Sequence, residues 1–242
     1  MSELVPGASH LSGPNIMDAA RYQEDAVVGD EIVRHKLSAR FVHWAVALFF
    51  VGALFTGLPV WSPVFAWMGA FFGGLQVCRW LHAWLGVAFT VASVAMFLQW
   101  FRQMTFDATD RGFSVAKYMN SGSVQEEPEV GRYNGGQKFF FWAVGLGALA
   151  LLLSGTVLWW PTTFPIPLRW VAIILHDIAF IAFFAAIVGH IYLCTAAEPG
   201  TFHSMTRGTV TKAWARMHHP RWYREVTGAK SKATVTELGK KS

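Results

Sequence analysis

Residues 174–194 have the sequence "ILHDIAFIAFFAAIVGHIYLC", an apolar run that contains two histidines and one aspartate. A helix needs about 20 apolar residues to cross the hydrocarbon core of a bilayer, so this run is long enough to do so. His176 and His190 are fourteen residues apart. That spacing returns them to nearly the same helix face, about 21 Å apart along the axis. The run therefore predicts one membrane helix that offers one imidazole to each leaflet.

The composition also favours a membrane protein: 53% of the 242 residues are hydrophobic and only 14% are charged. Four segments, at about 41–60, 81–101, 139–160 and 170–197, are long and apolar enough to span a bilayer. We therefore predict an all-α integral membrane protein with a bundle of four transmembrane helices. Its parts are a polar arm (1–34), the four-helix domain (35–200, with loop 102–138) and a basic tail (201–242). The arm lacks the pattern of a cleaved signal peptide.

The distribution of basic residues predicts the orientation of the bundle. Lysines and arginines are concentrated before the first segment, in loop 102–138 and in the tail, whereas the other two loops contain only Arg79 and Arg169. The positive-inside rule then places both termini and loop 102–138 in the cytoplasm. We interpret the net charge of +5 as a topology signal and a contact with membrane lipid rather than a nucleic-acid site.

Four histidines fall at two depths in these segments. His43 lies near the inner end of the first segment and His190 in the inner part of the fourth, whereas His82 and His176 lie in the outer parts of the second and fourth. A haem that only transfers electrons takes two axial ligands, and imidazole is a common one. The depths therefore predict a dihaem cytochrome b, in which His82 and His176 hold the iron of an outer haem and His43 and His190 that of an inner haem.

Other interpretations of the same residues remain open. A membrane histidine can simply hydrogen-bond a neighbouring helix, and zinc or copper would require four ligands at one depth. Cys78 and Cys194 form neither a CxxC pair nor a haem-attachment motif. Glycines within the segments suit a flat macrocycle and close helix packing equally well: Gly52, Gly57, Gly86, Gly145, Gly147, Gly155 and Gly189.

Charged residues near the segment ends are candidates for secondary roles. Asp177 could pair with Arg79 or Arg169, lie near the outer haem, or occupy a hydrated interface without a special role. Charge and depth alone suggest four partners for haem propionates: Arg79, Arg169, Arg40 and Lys138.

Several motifs resemble a known family. They are "RFVHWAVALFFVGALFTGL" (40–58), "RWLHAWLGV" (79–87), "GRYNGGQKFFFWA" (131–143), "ILHDIAF" (174–180), "VGHIYL" (188–193) and "WARMHHPRWYREV" (214–226). Together they resemble the cytochrome b (gamma) subunit of respiratory, membrane-bound formate dehydrogenases over roughly residues 34–227. "YNGGQK" and "HHPRWYRE" are the most specific of them. The longer N-terminal arm and Asp177 depart from the family pattern.

The resemblance implies a subunit of the bacterial inner membrane that holds two b-type haems with the pairing given above. It implies a cytoplasmic site for menaquinone or ubiquinone at Asn134, Gly136 and Gln137, with His190 nearby; a polar loop with Asn134 as a helix cap is the alternative. Electrons would come from a periplasmic iron–sulfur subunit and a molybdenum or tungsten catalytic subunit, and the complex could form a higher oligomer. Formate oxidation would belong to that partner, so no catalytic residue is assigned to this chain.

Two other functions fit the sequence. One is a cytochrome b for another electron donor, such as a hydrogenase, a sulfur-compound reductase or superoxide. The other is a non-redox membrane anchor or transporter subunit with structural histidines, which would bind no haem.

Overall fold

The structure, a computed structural model, describes residues 15–108, 110 and 129–228. Its four long helices, named here the first to fourth membrane helices, are Leu37–Trp61, Leu75–Trp100, Gly135–Trp159 and Ile166–Tyr192. A 3-10 turn (Phe101–Gln103) extends the second and a π-helical turn (Leu193–Ala197) extends the fourth. All four are long and apolar enough to cross a membrane, which confirms the predicted fold class. All four begin four to six residues before the predicted segments, because a helix continues past its apolar stretch.

Large apolar side chains cover the outer surface of the bundle. Leu48, Val91, Leu146 and Ile174, one from each membrane helix, are all more than half exposed. Soluble monomers rarely expose so much contiguous apolar surface to water. In a bilayer the same surface is stable, because lipid tails are as apolar as these side chains.

Three phenylalanine rings form the centre of the bundle. Phe50, Phe89 and Phe183 come from the first, second and fourth membrane helices, and their ring centroids lie 4.8 to 5.9 Å apart. Val144 and Ala148 of the third helix complete this buried cluster. Each histidine of the four lies seven residues from one of the three rings: His43 from Phe50, His82 from Phe89, and both His176 and His190 from Phe183. Seven residues are about two helical turns, so the aromatic layer lies between the two histidine levels.

Tryptophans mark one end of the bundle. There the 3-10 helix Pro63–Phe72 joins the first two membrane helices, and residues 160–165 join the last two. Seven tryptophans at this end each expose more than a third of their surface: Trp61, Trp67, Trp80, Trp84, Trp159, Trp160 and Trp170. Such clustering is typical of the boundary between lipid and water.

At the other end, the two ends of the chain pair in one antiparallel sheet. Its strands, in the order β1-β2-β3, are β1 (Val27–Val28), β2 (Glu31–Val33) and β3 (Thr209–Thr211). Ile32 pairs with Val210 across β2 and β3 and is fully buried against Trp214 and Trp222 of the tail. We call the described residues 15–36, 129–134 and 198–228 the terminal unit. The predicted arm and tail thus meet in the described part of the chain; residues 1–14 and 229–242 lie outside it.

Within the terminal unit, buried polar groups tie the arm and the tail to residues 129–134, which precede the third membrane helix. Arg34 Nη2 donates to the carbonyl of Arg132 at 2.7 Å and to Nε2 of His219 at 3.1 Å. His219 Nδ1 in turn donates to the carbonyl of Gly131 at 2.7 Å. Burial, with the neighbouring Arg34 charge, holds the pKa of His219 well below its ordinary value, so this imidazole is neutral. The "HHPRW" motif therefore positions the start of the third membrane helix.

Candidate functional site

The structure brings His82 and His176 together at the tryptophan-rich end. Their ring centroids lie 6.1 Å apart, although the residues come from the second and fourth membrane helices. Nδ1 of His82 lies 2.9 Å from the backbone carbonyl of Ala53. A carbonyl can only accept, so Nδ1 carries the proton and Nε2 keeps its lone pair. His82 is thus held in the tautomer that binds a metal through Nε2.

Ser154 of the third membrane helix orients His176 in the same way. Its hydroxyl donates to the carbonyl of Ala150 at 2.6 Å and lies 2.9 Å from Nδ1 of His176. Because the single hydroxyl proton is already used, the oxygen accepts from Nδ1–H. Nε2 of His176 therefore also carries the free lone pair, and both imidazoles of this pair present a ligand nitrogen.

Two glycines leave room for the rings of this pair. A Cβ atom at Gly57 would lie 2.8 Å from Cε1 and Nδ1 of His82, closer than real contacts allow. A Cβ atom at Gly155 would meet the His176 ring at 3.5 Å, an ordinary contact. Gly57 is therefore required for the position of His82, whereas Gly155 tolerates a methyl group.

His43 and His190 form the second pair, at the end that carries the terminal unit. Their ring centroids are also 6.1 Å apart, with 54° between the ring planes. The Phe140 ring stacks on His190 with a centroid distance of 4.8 Å. Nδ1 of His190 lies 3.7 Å from the Cys194 sulfur, its one hydrogen-bond partner in the described part of the chain. Nδ1 of His43 is buried without a hydrogen-bond partner among the described residues.

The four histidines thus form two separate pairs rather than one site. Among the described residues, no three His, Cys, Asp or Glu side chains come together as a metal-ion cluster. A metal–imidazole bond is about 2 Å long, so two imidazoles on one metal have centroids roughly 6 Å apart. The 6.1 Å separation in both pairs fits a single metal between each pair of rings.

Asn134 and Gln137 form a reciprocal cap at the start of the third membrane helix. The Asn134 side chain accepts from the Gln137 backbone N–H at 2.9 Å, and the Gln137 side chain accepts from the Asn134 N–H at 3.1 Å. Both amide oxygens are used, so both NH2 groups remain as donors. Gly136, between them, adds an N–H from the first helical turn, which lacks an intrahelical partner. Phe140 lies one helical turn after Gly136, and its ring stacks on His190. The three donors, Asn134, Gly136 and Gln137, therefore lie about one turn from a residue in contact with His190.

The charged candidates take different positions. Arg40 is buried and donates to the carbonyl of Thr206 at 2.9 Å, while its Nε has no partner among the described residues. Lys138 is buried in ion pairs with Asp110 and Asp107. Arg169 donates to the Pro161 carbonyl at 3.0 Å, and Arg79 is exposed.

Asp177 is partly buried beside His176. In the described part of the chain it forms no ion pair with Arg79 or Arg169.

The groups that orient the histidines could not be predicted from the sequence as readily as the histidines themselves. Ser154 is the one hydroxyl residue within the apolar stretch 139–155, which could have marked it. The contact of the Ala53 carbonyl cannot be predicted from the sequence, because every residue has a backbone carbonyl. The role of Gly57 likewise depends on which helix packs against it.

Comparisons with known proteins place these residues in context. The family model described as prokaryotic cytochrome b561 matches residues 34–208. The formate dehydrogenase cytochrome b556(fdo) subunit of Escherichia coli K12 is 37% identical over 201 residues, which cover 81% of this chain and 94% of the relative. The nitrate-inducible cytochrome b556(Fdn) subunit of the same strain is 32% identical, covering 85% and 96%. The formate dehydrogenase cytochrome b556 subunit of Haemophilus influenzae is 32% identical, covering 80% and 83%.

Proposed function

The chain belongs to the prokaryotic cytochrome b561 family, and from this we propose that it is the dihaem, quinone-reducing membrane subunit of a formate dehydrogenase complex. Four membrane helices and the family place it in the bacterial inner membrane as a multi-pass protein. The family implies b-type haem. The observation that carries the proposal is the presence of two histidine pairs with the same 6.1 Å separation.

The residues of both pairs fit haem. His82 and His176 would hold one haem iron through their Nε2 atoms, because Ala53 and Ser154 engage the Nδ1 atoms. His43 and His190 would hold the second. When bound, each haem supplies a one-electron carrier at its level of the membrane. The protein's part is to fix the imidazole tautomers and to surround both sites with apolar side chains.

The orientation of the bundle follows from its charges. Most lysines and arginines lie at the end with the terminal unit, so that end faces the cytoplasm. His43 and His190 then lie near the cytoplasmic face, and His82 and His176 near the periplasmic face. The periplasmic pair would then be the side at which electrons enter, and the cytoplasmic pair the side at which they leave.

The quinone site is at the start of the third membrane helix. The Asn134 and Gln137 NH2 groups and the Gly136 N–H are donors for the carbonyl oxygens of menaquinone or ubiquinone. His190 joins this site through the stacked Phe140 ring. The site lies at the cytoplasmic end, where water can deliver protons.

The partners follow from the relatives, which are named as subunits of formate dehydrogenases. A periplasmic molybdenum or tungsten subunit oxidises formate to carbon dioxide, one proton and two electrons, and an iron–sulfur subunit delivers those electrons to this chain. Quinone takes up the two electrons and two cytoplasmic protons to become quinol. Oxidation outside and proton uptake inside separate charge across the membrane.

The test uses the purified complex. Formate should reduce the b-haem absorption bands, and a quinone analogue added afterwards should reoxidise them. Hydrogen, with a hydrogenase as donor, should not replace formate. Bands that formate leaves oxidised, in a complex with active formate oxidation, would contradict the proposal and favour another donor.

A further inference from the structure

The two histidine pairs differ in what their Nδ1 atoms contact. Those of the outer pair, His82 and His176, each face an oxygen at 2.9 Å. In the inner pair, His190 faces a sulfur at 3.7 Å, and His43 has no partner among the described residues. Sulfur is a weak acceptor, so within the residues that the structure describes, strong acceptors contact the outer pair and not the inner one.

The Ser154 contact is strengthened by a second hydrogen bond. Its hydroxyl donates to the Ala150 carbonyl at 2.6 Å while it accepts from His176. Donating a proton polarises the oxygen and makes it a better acceptor, because successive hydrogen bonds reinforce one another. Ser154 is almost fully buried, so water does not compete for this bond.

Such a bond changes the electron donation of the imidazole. A hydrogen bond from Nδ1 raises the basicity of the ligand nitrogen. A more basic ligand stabilises ferric iron more than ferrous iron, because ferric iron carries the higher charge. The reduction potential of the iron it binds therefore falls.

A buried charge acts in the same direction. Arg40 precedes His43, and Arg79 precedes His82, by three residues on the same helix. Arg40 is buried whereas Arg79 is exposed, so water screens the Arg40 charge less and that charge favours the reduced form at the inner pair.

From these contacts we infer that the Ala53 carbonyl and the Ser154 hydroxyl make the outer haem the lower-potential haem of the two, so that electrons pass downhill from the outer to the inner site. Ser154 is a positioning and tuning residue for His176, with no contact to substrate. The inference rests on the proposed function, because it requires both haems to be bound.

The experiment is a redox titration of the whole complex, followed by visible spectroscopy. The wild-type titration should show two b-type waves. The wave absent from the His82→Ala variant identifies the outer haem, and it should be the lower one. Wild-type complex without two haems would refute the proposed function itself, which separates that failure from failure of this inference.

Three substitutions at Ser154 then test the cause. Ser154→Thr keeps a hydroxyl and should leave the lower wave in place. Ser154→Cys replaces oxygen by sulfur, as in the inner pair, and should shift the lower wave to a more positive potential. Ser154→Ala should shift it further, with the upper wave unchanged.

A matched control removes the weak contact of the inner pair. Cys194→Ala should leave the upper wave nearly unchanged, because the sulfur lies 3.7 Å from His190. The cysteine in Ser154→Cys is close in size to serine. This variant therefore still tests the inference if Ser154→Ala fails to fold. The inference is overturned if the outer wave is the higher one, or if neither the Cys nor the Ala variant moves it.

Discussion

Gly57 and His82 lie on different membrane helices, yet a Cβ atom at Gly57 would approach the His82 ring to 2.8 Å. The ring is fixed on its other side by the hydrogen bond from Nδ1 to the Ala53 carbonyl. It cannot move away without losing that bond. We therefore expect Gly57→Ala to displace His82 and to lower the haem content from two per chain towards one, as measured by pyridine haemochrome.

The control for this substitution is Gly155→Ala, beside the other histidine of the same pair. A Cβ atom there makes an ordinary 3.5 Å contact with His176, so both haems should remain. Equal haem loss in both variants would show that any added methyl group disturbs the bundle, and would remove the specific role assigned to Gly57.

The reciprocal cap allows a quinone donor to be removed without removing the cap. In Gln137→Glu, a carboxylate oxygen still accepts from the Asn134 N–H, and a negative charge suits a helix N-terminus. The NH2 donor is lost, however. One hydrogen bond contributes about 0.5–1.5 kcal/mol, so the KM for quinone should rise about 2- to 12-fold, measured with formate as donor.

Reduction of the haems by formate provides the internal control, because it does not require quinone. It should be unchanged in Gln137→Glu. An unchanged KM for quinone would show that the Gln137 amide does not contact quinone, and would move the site elsewhere on the cytoplasmic end.

The amino-acid sequence predicts the four helices and the depth of each histidine, because apolar length and residue spacing determine both. Depth alone assigned His82 to His176 and His43 to His190, and the structure brings the members of each assigned pair to the same distance. The sequence does not predict the sheet between β2 and β3. Its strands are three residues each and are separated by more than 170 residues, so they carry too little periodic signal.

The acceptors for the histidine Nδ1 atoms are also unpredictable, for a different reason. The Ala53 carbonyl is a backbone group, and its role depends on the rotation of the first helix against the second. Asn134 shows the opposite case. Its cap follows from an Asn and a Gln spaced three residues apart at the start of an apolar run, a local pattern that the structure contains.

His219 should make the terminal unit less stable at acidic pH. Its pKa in the folded protein is held well below the ordinary value of about 6.5, first by burial and then by Arg34. Below about pH 6.5 the unfolded segment takes up a proton and the folded one does not. Stability should therefore be constant above that pH and fall below it, by up to about 1.4 kcal/mol per pH unit.

Hydrogen-exchange protection of residues 129–134, measured between about pH 7.5 and 5.5 and corrected for intrinsic exchange, should show this loss. His35 is buried with its pKa lowered in the same direction, so part of the slope will remain in His219→Gln, which cannot titrate. An identical slope in wild type and His219→Gln would exclude His219 as a source.

Ile32 should anchor the tail to the arm. It is fully buried against Trp214 and Trp222, and truncating such a side chain costs about 2–5 kcal/mol. Ile32→Ala should therefore increase proteolytic cleavage within residues 209–228. Val27→Ala, on the exposed edge strand β1, serves as the matched control and should change cleavage little; similar cleavage of both variants would argue against the Ile32 contact as the anchor.

The most direct test of the account is haem content per chain, by pyridine haemochrome, in wild type and in the four single histidine-to-alanine variants. Wild type should contain two b-type haems. The His82 and His176 variants should each lose the same haem, with one redox wave missing, and the His43 and His190 variants should each lose the other. Wild-type protein that is folded and supplied with haem but binds none, or variants whose losses follow a different pairing, would contradict the two-site account.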